Sequence, residues 1–362
     1  MRIQNKLKGG KVNIMTENKV LGAEEIKAAL DGTSGHGLEM LPNELAEEII
    51  GRVWQESWIR NSFRPVNMDM VTMDISKITT GLTMQRKGKT DQRADETQYG
   101  TDDVSLELCT IMGNVPIEKK QIVYGIAAQL PSIEQDIKNA VAEAEENMVL
   151  NGDTTATSAY ADNINGKYDA TDFPNGIVGD RDQRLCFDGL RKKAIDGGLD
   201  VNASGQVLSS THIRKAFKQL GRLGVRKGDL LIIMSLSVST GVLDWTNLNT
   251  VDKYGPSATI LTGEIGKIFG VSSIATDLIS DTLDANGVER DQSAVGTDYS
   301  VVLVVNKTVP IIGNPAMADR KFKIALDESV RDDEIYLVPI EDIAFAVRYT
   351  NGIAYIRNVL PE

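Results

Sequence analysis

The sequence predicts an α+β protein from which one two-stranded arm projects, and three patterns carry that prediction. Two strand-like runs, Val71–Met84 and Val104–Ile126, flank a charged segment. A long amphipathic helix follows at Pro131–Asp153. Helix and strand patterns then alternate through the middle of the chain, which closes in two further strands.

Residues up to about Gly37 hold few large apolar groups, apart from a weak helical pattern at Gly22–Leu30, and Asp31–Gly37 is a loop by composition. Lys8–Lys11 stands a few residues before Met15 and reads either as a translated ribosome-binding site, with initiation at Met15, or as part of a disordered tail. From Pro42 the sequence PNELAEEIIGRVWQESWI places Leu45, Ile49 and Val53 on one helical face. That helix ends near Arg64, because Pro65 disfavours a helical residue before it.

The arm is read from alternation. Val104, Leu106 and Leu108 alternate with Ser105 and Glu107, the period of a strand buried on one face. Between the two runs, Arg86, Lys87, Lys89 and Arg93 stand against Asp91, Asp95, Glu96, Asp102 and Asp103, with only Ala94 and Tyr99 as apolar or aromatic side chains. Such a segment cannot bury enough surface to dock on its own body. It is either a solvated mobile loop or a tip that meets another protein surface. On the second reading Arg86, Lys87, Lys89, Asp91, Arg93, Asp95 and Glu96 are candidate inter-subunit contacts. The tripeptide Gly88-Lys89-Thr90 also ends nucleotide-binding phosphate loops. Those need four residues before the Gly-Lys-Thr and a helix after it, whereas Gly81 and Gly88 enclose six and a polar stretch follows.

In the long helix, Ile133, Ile137, Val141, Ala144 and Met148 form a narrow stripe opposite Glu134, Lys138 and Glu145. Ser132 and Gln135 have capping-box spacing, and Asn151-Gly152 reads as a left-handed stop. The single thin stripe predicts a helix lying across a sheet. Asn151–Asp180 is rich in Gly, Asp, Thr and Asn and reads as a long polar loop. Beyond it, FDGLRKKAID and SSTHIRKAFKQLGRL look helical, DLLIIM and SVVLVVNK are buried strands, and GEIGKIFG is a short helical turn leading into VSSIAT. This middle region is a compact α/β domain. Asn351-Gly352 between IAFAVRY and IAYIRNVL is a hairpin signal.

Composition excludes several classes. The chain has 362 residues, 41% hydrophobic, with 39 Lys plus Arg against 51 Asp plus Glu and a net charge of −12. An acidic chain does not bind nucleic acid by counterion release. The two cysteines, Cys109 and Cys186, form no spaced framework and read as reduced intracellular thiols. Runs such as Leu230–Met234 and Val301–Val305 are too short to span a bilayer, and no signal peptide is evident. The two histidines, His36 and His212, lack a motif-borne nucleophile, and His212 reads as a helix-surface residue. No ligand spacing suits zinc, and Thr282–Ser293 lacks the terminal carboxylates of a calcium loop. No catalytic, cofactor or metal residue is predicted.

The order of these elements resembles the major capsid (coat) proteins of tailed bacteriophages. AEAEENMVLNGD is similar to the end of that family's spine helix, and FPNGIVGD to the glycine-turn segment that follows. Lys253–Ile279 is similar to its Leu-Thr-Gly…Gly-x-Pro-Val segment, with Ser272 at the proline position, and IAFAVRYTNGIAYIRNVL to its closing strands. The resemblance implies a Hong Kong 97-type capsid fold. Its parts would be an N-terminal arm (1–40), an N-terminal helix region (41–67), an extended hairpin or E-loop (68–126) and a spine helix with polar loop in the P domain (127–190). An axial A domain (191–335) and closing P-domain strands (336–362) would complete it. It also implies a virion protein of a phage or prophage, assembled in the bacterial cytoplasm as pentamers and hexamers into an icosahedral shell round double-stranded DNA, without sequence-specific binding. Its partners would be further copies of itself, a portal, a maturation protease and a scaffolding protein. The scaffold would be separate, because the residues before Leu41 are few for a built-in one. An encapsulin-like shell shares this fold, and a soluble α/β enzyme is the alternative from a different class.

Overall fold

Runs of aliphatic and β-branched residues decide where the sheets of this chain lie. A computed structural model describes residues 58–84, 86, 98–118, 130–155, 162–167, 173, 175–243, 245, 267–293, 295–317, 320–329 and 334–361. The expected N-terminal arm, residues 42–57 of the helix expected from Pro42 to near Arg64, and most of the hairpin tip lie outside these residues. The chain divides into two units, 1–53 with 126–136 and 54–125 with 137–362. In the first, only residues 130–136 are described. All packing below belongs to the second.

A single helical turn, α1 (Ile59–Ser62), stops ahead of Pro65, and Arg64 begins strand β1 (Arg64–Met68). Among the described residues the strands β2 (Thr72–Thr80) and β3 (Gly100–Glu107) pair only with each other. The run read as one strand to Ile126 breaks up. After β3 come β4 (Cys109–Met112) and β5 (Val115–Glu118), which leave the arm. Both pair with β13 (Glu334–Val347), as do β11 (Pro310–Pro315) and β12 (Lys323–Ser329), and β1 runs parallel to β11. The expected hairpin is therefore shorter than 68–126, because its distal residues have a better partner in the body.

Helix α2 spans Leu130–Asn151, 22 residues and roughly 33 Å. Ile137, Met148, Val149 and Leu150 are buried along it, and so are Glu145 and Glu146, although the stripe placed Glu145 on the outer side.

The second sheet has the order β6 (Asp200–Gln206), β14 (Ile353–Val359), β10 (Ser300–Asn306), β7 (Leu230–Ser235), β9 (Val271–Thr276), β8 (Lys267–Ile268). Every residue of β7 and β10 is buried, as their unbroken apolar runs require. Alternate side chains feed two cores. Leu231, Ile233, Leu303 and Val305 face one core with Leu190 and Ala194 of α3 (Leu190–Gly197). Leu230, Ile232, Val302 and Val304 face the other with Ile213 and Ala216 of α4 (Ser210–Gln219). A sheet covered on both faces is the expected α/β arrangement.

Four local readings are corrected. The expected 351–352 hairpin does not form, because Thr350–Gly352 is a 3-10 turn that passes the chain from β13 in one sheet to β14 in the other. β14 lies antiparallel to β10 and parallel to β6, so a strand expected beside β13 completes the axial sheet. Within GEIGKIFG the described residues 267–270 are strand and turn, forming a hairpin of β8 with β9. His212 is buried in the first turn of α4, where its Nδ1 accepts from the Ser209 N–H at 3.3 Å in a capping box.

Candidate functional site

The β2–β3 ribbon has an anchored root and an uncovered outer half. At the root, Leu106 is fully buried with Met68, Ile311, Ala344 and Ala346, and Met73, Ile75, Val104 and Leu108 pack against them. Gly313 makes this seat possible. A Cβ there would stand 2.4 Å from Met68 Sδ and 2.9 Å from Ala344 Cβ. Leu108 N–H donates to Val71 O at 2.9 Å and closes the base.

Beyond Ile75 the cover thins out. None of the nine residues of β2 is buried. Ile78, Leu82, Met84 and Tyr99 are 50–86% exposed. Across the two strands Lys77 Nζ meets Asp102 Oδ2 at 2.8 Å, and Ser76 Oγ donates to Asp103 at 2.7 Å. The Lys77 contact holds the Asp102 carboxyl below its ordinary pKa. The ribbon thus keeps its two strands in register by polar contacts while presenting apolar side chains outward. Of the predicted tip residues, Arg86 is described and exposed. Lys87, Lys89, Asp91, Arg93, Asp95 and Glu96 lie outside the described residues.

Beside this seat, Arg60 ties four elements together. Its Nε donates to Glu145 Oε2 on α2 at 2.9 Å, and its Nη2 bonds both Glu145 Oε1 and, at 2.5 Å, Glu341 on β13. Its Nη1 reaches Asn314 on β11 at 3.2 Å. Trp58 N–H donates to Glu146 at 2.9 Å. Burial and the neighbouring Glu145 push the Glu341 carboxyl up to about 8, against the opposing pull of Arg60. Arg60, Glu145, Asn314 and Glu341, with Lys138, Lys321 and Asp342, line an open groove of about 500 Å³.

The polar loop after α2 hides a second network. Asn151, Asp153, Asn163 and Asn165 are buried, and each has hydrogen-bond partners. Arg191, fully enclosed, donates to Asn151 Oδ1 at 2.8 Å, Ile164 O at 2.7 Å and Asn165 Oδ1 at 2.9 Å. Burial lowers its pKa to about 10, so it stays charged at neutral pH. Gly152 is not the left-handed stop expected of it. It has no positive φ, and a Cβ on it would lie 2.2 Å from Phe187 O and 3.1 Å from Gly189 N. The residue is glycine because two backbones meet there.

The cysteines are also corrected. Cys109 and Cys186 are joined in a disulfide, with Cα atoms 5.7 Å apart. A separation of 77 residues gave no spacing signal, and the fold alone brings them together. Among the described residues no cluster of His, Cys, Asp and Glu could hold a metal ion.

The family model described as the phage capsid family matches residues 37–194. Among solved structures, the capsid of an empty GTA particle is similar, with a TM-score of 0.61 at 11% identity, over 90% of this chain and 98% of that one. The cyanophage P-SCSP1u capsid structure aligns with a TM-score of 0.59 at 11% identity, over 90% and 95% of the two chains. A chain of Mycobacterium phage Bobi aligns with a TM-score of 0.55 at 13% identity over 90% and 98%. No curated protein sequence matches. The likeness in structure establishes the α+β fold of the Hong Kong 97-type capsid chains.

Proposed function

We infer, from the capsid fold and the match to the phage capsid family, that this chain is a major capsid protein of a tailed phage or prophage. Many copies would close an icosahedral shell around double-stranded DNA. The role is structural, as the family implies. The observation that carries the reading is the β2–β3 ribbon, a separate two-stranded sheet with Ile78, Leu82, Met84 and Tyr99 exposed. A lone ribbon is marginally stable in water and gains from lying on another surface. In a shell that surface belongs to a neighbouring copy, and contacts of mixed charge give such an interface its direction. The tip cations Arg86, Lys87, Lys89 and Arg93 suit the carboxylates beside Arg60, while the tip carboxylates Asp91, Asp95 and Glu96 suit Lys138 and Lys321.

The net charge of −12 supports a wall that does not adhere to the DNA it encloses. The partners that go with this reading are further copies in pentamers and hexamers, a scaffolding protein, a portal and a maturation protease. Assembly in the host cytoplasm and residence in the virion complete it. Light scattering after size exclusion, with negative-stain microscopy, tests the core of the proposal. Shells or shell-building capsomers are expected. A small fixed oligomer at every concentration and salt would overturn it.

A further inference from the structure

The disulfide joins two segments that other bonds already hold in place. Cys109 opens β4, whose four residues Cys109–Met112 pair with Ile340–Ile343 of β13. Cys186 follows the 3-10 turn Gln183–Leu185, which is fixed by Asp153 N–H donating to Arg184 O at 2.8 Å. Gly189 N–H donates to Gly152 O at 2.8 Å just beyond it. Phe187, the next residue, stacks on Phe345 of β13 with ring centroids 5.6 Å apart. None of these contacts involves sulfur. They place the two Cα atoms 5.7 Å apart, within the span a disulfide bridges. Both cysteines are half-buried, so a small reagent can reach them. The sequence holds no other cysteine with which either could pair within the chain.

We propose that Cys109 and Cys186 are a redox modification site. The chain folds with two thiols, and a low-molecular-weight disulfide of the glutathione class then converts them into a staple. One cysteine, as its thiolate, attacks a glutathione sulfur, forming a mixed disulfide and releasing one glutathione thiolate. The second cysteine thiolate attacks the protein sulfur of that mixed disulfide and expels the other glutathione. The protein loses two electrons and two protons, and one oxidised glutathione becomes two reduced ones. The bond closes a covalent ring that contains β5, α2 and the Arg191-bound loop. Because it links residues of one chain, it hardens a subunit without joining it to another. The assignment rests on the geometry of the single chain and is independent of whether that chain builds shells.

The test uses the full chain, purified in dithiothreitol and then exchanged into oxidised glutathione. Native circular dichroism is expected in both states. Oxidation should remove both titratable thiols, lower the mass by about 2 Da and leave a monomer band on a non-reducing gel. The melting temperature should rise by roughly 4–10 °C. The double variant Cys109→Ser/Cys186→Ser should melt with the reduced wild type under either condition. The wild-type comparison stands even if that variant folds poorly. An unfolded reduced chain, persistent glutathione adducts, covalent dimers, or identical melts of the two wild-type states would each overturn the proposal.

Discussion

Strands β10 and β2 are both rich in β-branched residues and meet opposite fates. β10 runs Ser-Val-Val-Leu-Val-Val-Asn, and all seven residues are buried. β2 runs Thr-Met-Asp-Ile-Ser-Lys-Ile-Thr-Thr, and none of its nine is. β10 has a paired strand on each side and a core against each face. β2 has one paired strand, and its inner face is covered only near Leu106. Strand preference alone therefore does not say where stability comes from. The axial sheet is completed within the chain, whereas the ribbon has exposed apolar surface among the described residues.

The sharpest way to break this comparison is to remove mass from each side of it. Ile232, fully buried in β7, should cost about 2–5 kcal/mol when replaced by alanine, read from the urea midpoint of the unassembled chain. A smaller effect is expected at the Arg60 clamp. Glu341 holds a proton in the folded chain between the ordinary glutamate value of 4.5 and about 8, a proton that the unfolded chain releases. Stability should therefore fall as pH rises through that window, and Glu341→Gln should flatten the slope. The smallest effect belongs to the ribbon. Ile78→Ser should shift the unassembled chain by less than about 0.5 kcal/mol while reducing the yield of shells seen by microscopy. If Ile78→Ser unfolded the subunit as Ile232→Ala does, the ribbon would be part of its own core and the contrast would fail.

Much of the architecture could be read from pattern. Unbroken apolar runs located β7 and β10, and the alternation at Val104–Leu106 located the arm's root, because burial on one or two faces imposes those periods. What stayed hidden was set by contacts distant in sequence. Asn151-Gly152 and Asn351-Gly352 both looked like turn signals. Each glycine instead clears space, Gly152 for the backbone at Phe187 and Gly189, and Gly352 for Val309, whose Cγ2 would be 2.6 Å from a Cβ. Asn165 looked like a solvated loop residue until Arg191 arrived from 26 residues away. Glu145 looked like an outer-face charge because its partner Arg60 is 85 residues earlier. For the candidate contacts, composition marked the tip, and only Arg86 among them falls within the described residues.

The position of β14 has a consequence for biosynthesis. Its neighbours β6 and β10 are both translated before it, yet β6 has no strand partner in this sheet, and β10 has only β7, until Ile353–Val359 has left the ribosome. Until then the axial sheet contains a gap one strand wide, between β6 and β10.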